Sequence, residues 1–302
     1  MLSFNHIVFF EVARNLSFSK AAELLFISQP AVSKHIKNLE QEYHIHLFER
    51  KGNSILLTKE GEILYEHVSN ARSIQRRLEF EISIVKNKQQ AKGSLVVGAS
   101  TTVALYVMPA ILSAFHKAYP HINLRLVNRN AENILKALME QEIDLGIIEG
   151  KNKLTSVSYK FFLKDEVVPV CSAKSHLAKK RKINVQELKT MDVALRERGS
   201  GTLAAVSEGL LKHNIRISDL ETRIVLGGTE ALKNFLLDDT CIGFLPLRSV
   251  AKQLQSKELV RLNIPDFQIS REFYFVQRQG NGNDKMNNLF IKMAIGHYNQ
   301  LL

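Results

Sequence analysis

Four side chains near the start of the chain, Gln29, Ser33, Lys34 and Lys37, place an amide, a hydroxyl and two ammonium groups where they share one face of a helix. Amides and hydroxyls exchange hydrogen bonds with base edges, and ammonium groups neutralise phosphates. That combination on a rigid helix suits the reading of a DNA major groove. A second class of candidates lies further on. Ser100-Thr101-Thr102, Asn128-Arg129-Asn130, Gly199-Ser200-Gly201-Thr202 and Gly227-Gly228-Thr229 each follow an apolar run and precede a helical pattern. Hydroxyls, glycines and free N–H groups at such points suit a small anion, although the same residues also serve as plain helix caps. Catalysis finds no comparable support. The serine of Gly199–Thr202 is joined by no recognisable His and acid, so no catalytic residue is assigned.

The elements that must hold the first set follow from spacing. Residues 17–25 read as an Ala-rich helix in which Ala22 lets a neighbour cross closely. Ser28 is placed as the N-cap of the next helix, and Pro30 falls in its first turn, where no N–H is needed. Val32, Ile36 and Leu39 form its inward face. The plainer alternative is a helical hairpin with a solvated polar face. Phe4, Ile7, Val8, Phe10 and Val12 predict a buttressing helix before it. After it, two short strands around Lys51-Gly52-Asn53-Ser54 make a wing pinned by Leu47, Phe48 and Leu56, leaving Arg50 and Lys51 to meet phosphates. His44 and His46 are too close to define a metal site by themselves, and no metal ligand is assigned.

Thr58 is expected to cap a helix over about residues 59–88. Leu64, Val68, Ala71, Ile74, Leu78, Ile82 and Val85 give it one apolar seam, best covered by the same helix of a second chain. The alternative, packing on its own C-terminal part, is disfavoured by the polar linker 88–93. Beyond it, apolar runs at 95–99, 122–127, 145–148, 167–171, 193–196, 224–226, 241–245 and 273–276 alternate with helical patterns. The fold class is α/β: parallel sheets covered by helices, in two lobes between which the chain crosses twice. The expected domains are 1–58, a joining helix and hinge over 59–92, and 93–302, with lobe I at about 93–165 and 267–302 and lobe II at about 166–266.

With 302 residues, 45% hydrophobic and 24% charged, the chain has the composition of a soluble globular protein, and no apolar run approaches a bilayer span. The N-terminus lacks a basic leader, and Cys171 and Cys241 show no metal or disulfide spacing. Both point to the cytoplasm. Cys171, inside a strand, is expected to be a buried inert thiol. The net charge of +11 suggests a polyanionic partner, yet residues 1–92 carry only +3 of it and residues 93–302 carry +8. Much of the excess is the cluster Lys174, Lys179, Lys180, Arg181 and Lys182, read as a solvated loop. Charge alone would misplace the DNA site.

The strings SFSKAAELL, SQPAVSKHIKNLE, LFER and LLTKEG, in that order, resemble the winged helix-turn-helix of LysR-type transcriptional regulators, and the later segments fit along nearly the whole chain. The resemblance implies a DNA-contact set of Ser19, Gln29, Pro30, Ser33, Lys34, Lys37, Arg50 and Lys51. It also implies double-stranded operator DNA, RNA polymerase and a second copy (as homodimer or homotetramer) as partners. GASTT, NRNAENIL, DLGIIEG and LRERGSGT resemble the branch tied to sulfur assimilation or carbon fixation. In that family the cleft of a domain like the periplasmic solute-binding proteins takes an effector. The residues matched here are Ser100, Thr102 and Thr202, with Glu149 and Gly150 on the opposite wall; Thr101, Asn128, Ser200, Gly201 and Thr229 join the candidate effector set from the four segments above. Arg198 departs from the proline usual in relatives. A small anion is the expected effector, held by hydroxyls and helix N-termini without a buried Lys or Arg. Glu149 opposes that unless it is paired or meets an amine. No cofactor is implied. The rival readings are a solute-binding or an enzymatic bilobal protein with an accessory helical domain.

Overall fold

Hydroxyl caps at Ser17, Ser28 and Thr58 start three helices of the first of two compact units, Met1–Lys86; the second is Asn87–Leu302. The computed structural model describes every residue except 1, 53, 87–90, 151–153, 281, 283 and 300–302. Asn53 of the wing turn and residues 88–90 of the linker therefore lie outside the described residues. Helices α1 (Phe4–Asn15), α2 (Phe18–Leu25) and α3 (Gln29–Tyr43) pack around Val8, Phe9, Val12, Ala21, Ala22, Val32, Ile36 and Leu39. Ser17 accepts from Lys20 N–H to start α2, and Ser28 accepts from Ala31 N–H to start α3 with Pro30 in its first turn. Strands β1 (Phe48–Lys51) and β2 (Ser54–Leu57) pair antiparallel as the wing. Leu47 and Phe48 join the core, but β2 contributes Ile55 and Leu57 rather than the expected Leu56, because alternate residues of a strand face opposite ways.

Helix α4 (Lys59–Lys86) starts where Thr58 accepts from Gly61 N–H and donates to His46 C=O. A Cβ on Gly61 would stand 2.2 Å from Leu47 O, so the wing can approach this turn only over glycine. The seam expected along α4 divides. Leu64 and Val68 turn into their own unit's core, and Arg72 reaches Glu11 at 2.9 Å. Ile74, Leu78, Ile82 and Val85 are exposed in the single chain.

The second unit holds one nine-stranded sheet built from two α/β halves. In lobe I, β3 (Gly93–Ser100), α5 (Thr101–Tyr106), α6 (Met108–Ala118), β4 (Ile122–Arg129), α7 (Ala131–Met139) and β5 (Leu145–Glu149) alternate, with β3 parallel to both β4 and β5. The next strand, β6 (Val157–Ser172), is far longer than the expected 167–171 and carries the chain out of lobe I into lobe II. There follow β7 (Asp192–Arg196), α8 (Gly201–Leu211), β8 (Glu221–Leu226), α9 (Thr229–Asp238), β9 (Ile242–Pro246), α10 (Leu247–Gln255) and β10 (Leu259–Arg261). Strand β11 (Ile269–Arg278) returns antiparallel to β6 along its whole length, and α11 (Lys285–Asn299) packs on α6. Helix α10 and strand β10 were not anticipated. The order β4-β3-β5-β11-β6-β9-β7-β8 makes β6 and β11 the ribbon that joins the lobes.

Candidate functional site

On the first unit, Ser19, Gln29, Pro30, Lys34, Lys37, Arg50 and Lys51 are exposed and Ser33 is half-buried. Gln29 Nε2 donates to Ser33 Oγ at 3.2 Å, one turn apart along α3. Between α3 and the wing runs a groove of about 550 Å³ whose walls include Ser33, Lys37, Phe48 and Arg50. One helix face and one strand edge thus present hydroxyl, amide and cationic groups toward the same side of this unit.

In the second unit the hydroxyls that sequence placed in separate loops meet around a side chain it overlooked. Arg271, 6% exposed, leaves β11 opposite Asp165 of β6, at the point where the ribbon passes between lobes. All five of its N–H groups are used. Nε and Nη2 donate to Asp165 Oδ2 at 2.9 and 2.7 Å. Nη2 also reaches Thr102 Oγ1 of lobe I at 3.1 Å. Nη1 donates to Glu149 Oε1 at 3.0 Å and to Thr202 Oγ1 of lobe II at 2.9 Å. The other carboxylate oxygen, Asp165 Oδ1, accepts from Arg248 Nε at 2.7 Å, so two arginines balance two carboxylates. The expectation of an anion site free of buried Arg is therefore corrected. Two carboxylates this deep require a paired cation, and Arg271 supplies it.

The remaining candidates divide. Ser100 stands at the N-cap position of α5, but its Oγ makes no cap bond and is buried without a partner, as is Glu149 Oε2. Gly201 abuts Glu149: a Cβ there would lie 2.5 Å from Oε2. Ser200 Oγ accepts from Leu203 N–H as the cap of α8. Thr101 opens α5, and Gly150, at φ +73°, turns the chain after β5. Asn128 is exposed on β4, outside the Arg271 cluster. Thr229 is buried, but its hydroxyl accepts from Arg196 Nη1 at 2.8 Å. It therefore belongs to a second cluster, in which Arg196 forks onto Glu197. Burial pushes the Glu197 carboxyl up, and the Arg196 bonds more than offset this, leaving it below the usual carboxylate range.

Two further contacts tie the lobes. Tyr106 of α5 donates to Glu230 of α9, which also holds Lys233 at 2.8 Å. Asn130 Nδ2 reaches Arg198 C=O at 3.4 Å; Arg198 thus bridges through its backbone while its side chain is exposed. The basic cluster is solvated, with Lys174 on Asp238 and Lys180 on Glu187. Among the described residues no helix is long and apolar enough to cross a membrane.

Residues 6–62 match the bacterial regulatory helix-turn-helix of the lysR family, and residues 88–298 match the LysR substrate binding domain. The HTH-type transcriptional regulator CysL of Bacillus subtilis (strain 168) is 28% identical over 97% of each chain. The CcmR regulatory domain of Synechocystis PCC6803, solved in complex with 2-PG, is 26% identical with a TM-score of 0.61, over 68% of this chain and 96% of that one. Full-length CbnR complexed with its target DNA shares the fold at a TM-score of 0.67, covering 98% of this chain and 99% of that one at 16% identity. The chain belongs to the LysR family: it is a helix-turn-helix transcriptional regulator with a substrate-binding domain, and not an enzyme.

Proposed function

We propose that this regulator reads operator DNA with α3 and the wing, and answers to a small anion held where Arg271 gathers Thr102 and Thr202. The use of all five guanidinium N–H groups across both lobes carries this reading. A guanidinium accepts nothing, so each threonine oxygen faces it as acceptor and keeps its hydroxyl hydrogen to donate. Ser100 adds a third hydroxyl, and the N-terminus of α8 a positive dipole end. The CcmR complex with 2-PG supports an anionic ligand for this chain too. Residues 1–58 bind DNA, 59–92 join, and 93–302 sense. A ligand bridging the lobes alters operator binding only through a difference in affinity between two assembly states, which RNA polymerase at the promoter then registers.

Assembly uses α4. Ile74, Leu78, Ile82 and Val85 form an exposed apolar stripe that a second copy covers. The protein works in the cytoplasm, on double-stranded DNA, as a homodimer or homotetramer. Calorimetry and gel shifts on the full chain test the central claim. Thr202→Val keeps the shape but removes the hydroxyl, and is expected to cost about 1–3 kcal/mol of anion affinity while basal operator affinity stays near wild type. Unchanged anion affinity in both Thr202→Val and Ser100→Ala would remove the cleft from consideration. Leu78→Asp, by placing a carboxylate in the stripe, is expected to give a monomer in light scattering.

A further inference from the structure

We infer that the effector is an anion carrying a hydrogen-bond donor of its own, and that Glu149 selects it. The inference rests on the cleft reading above. Glu149 ends β5 and is 8% exposed; Oε1 is occupied by Arg271, whereas Oε2 is buried with no partner. Ser100 ends β3, the strand beside it: Ala99 pairs with Ile147, which brings the two carboxyl ends together. Its Oγ, at 1% exposure, is likewise unpartnered. Two orphaned polar atoms at adjacent strand ends, one able to donate and one only to accept, describe a ligand with both capacities.

The hydroxyls of Ser100, Thr102 and Thr202 donate to its anionic oxygens. Glu149 Oε2 needs the reverse, an N–H or O–H directed at it. A fully deprotonated oxyanion sets oxygen against oxygen there, and the neutral balance of Arg271 and Arg248 with Asp165 and Glu149 leaves no surplus cation to offset the repulsion. Hydrogen phosphate and hydrogen sulfite carry the donor on the oxyanion itself; an α-amino acid carries it on a neighbouring ammonium. Sulfate, similar to phosphate in size and shape, has no proton to offer near neutral pH.

Calorimetry on the full chain with hydrogen phosphate, hydrogen sulfite, serine and sulfate tests this. At least one donor-bearing probe is expected to bind about tenfold or more tighter than sulfate, because a site that leaves a buried polar group unpaired rejects the analogue lacking its partner. Which probe prevails tells a donor on the oxyanion from one on an ammonium. Glu149→Gln, whose amide can donate, is expected to raise sulfate affinity and narrow the ratio to about threefold or less. Misfolding cannot produce such a gain. Ser100→Ala should weaken every probe alike and leave the ratio unchanged. Arg271→Met, assayed where circular dichroism shows its second unit still folded, serves the underlying reading, and loss of all binding then supports it. Loss in Arg271→Met with sulfate bound as well as the others would keep the cleft and overturn the selection by Glu149. An unchanged ratio in Glu149→Gln would overturn it too. Binding that survives in Arg271→Met, or no binding of any probe to wild type, would overturn both.

Discussion

The two regions proposed to meet ligands solve opposite problems. The proposed reading face of α3 and the wing holds its cations in water: Lys34, Lys37, Arg50 and Lys51 are exposed, where phosphates from outside could reach them. The proposed effector site has already paired its charges. Arg271, Asp165 and Glu149 are buried on one another, with Thr102 and Thr202 filling the remaining donors. An exposed cation contributes little to folding, whereas a buried one cannot be removed without stranding its partners. Changes on the reading face should therefore appear in binding alone, and changes in the cleft in stability as well.

Arg271→Met tests that contrast most severely. It leaves two carboxylates buried, and the unit Asn87–Leu302 is expected to lose about 3–5 kcal/mol, with unit Met1–Lys86 unfolding as before. Scanning calorimetry that shows both transitions unmoved would break the comparison. Gly201→Ala comes next. Its new Cβ would meet Glu149 at 2.5 to 2.7 Å, and the overpacking costs about 1–3 kcal/mol, felt as weaker anion binding with operator affinity retained.

On the reading face, Ser33→Ala or Lys34→Ala should cost about 1–3 kcal/mol on the operator and relax one base position, without altering thermal stability. If neither changes operator affinity, α3 is not the reader. Arg50→Ala should weaken all DNA sequences alike and lower the salt slope by about 1; a sequence-dependent effect would move the wing into base contact. The smallest expected signal is chemical. Burial pushes both thiols up, Cys241 to about 12 with Asp239 adding to the effect, so neither should react with maleimide at neutral pH until the chain unfolds.

The same contrast explains what the sequence disclosed. The reading helix is local: cap, proline, inward Val32, Ile36 and Leu39, and outward polar residues all fall within one stretch whose period betrays it. The cleft is not. Arg271 finds Asp165 across 106 residues and Thr102 across 169, and no local pattern encodes such a meeting. A trace was present nonetheless. Ile269, Arg271, Phe273 and Phe275 alternate on one buried face, as do Leu163, Asp165 and Val167, so a lone Arg and a lone Asp interrupt two apolar faces. The first half of β6 escaped notice because Ser158, Lys160, Lys164, Asp165 and Glu166 make it read as a polar connection. Along α4, periodicity marked the apolar positions but could not tell Leu64 and Val68, covered by their own unit, from Leu78 and Ile82, which are not.

The ribbon of β6 and β11 has a mechanical consequence. Its ladder runs from lobe to lobe with one irregularity, so the lobes are joined by paired strands instead of slack loops. A pair of strands changes twist readily while keeping its hydrogen bonds, and the irregularity at Phe273/Tyr274, where Phe162 goes unpaired, adds local twist two residues from Arg271. Rotation of one lobe thus winds the ribbon at the spot where the guanidinium is anchored. If the clamp opens by twisting this ribbon, Arg271 turns with it, and the ligand proposed above would favour one twist and with it one angle between the lobes.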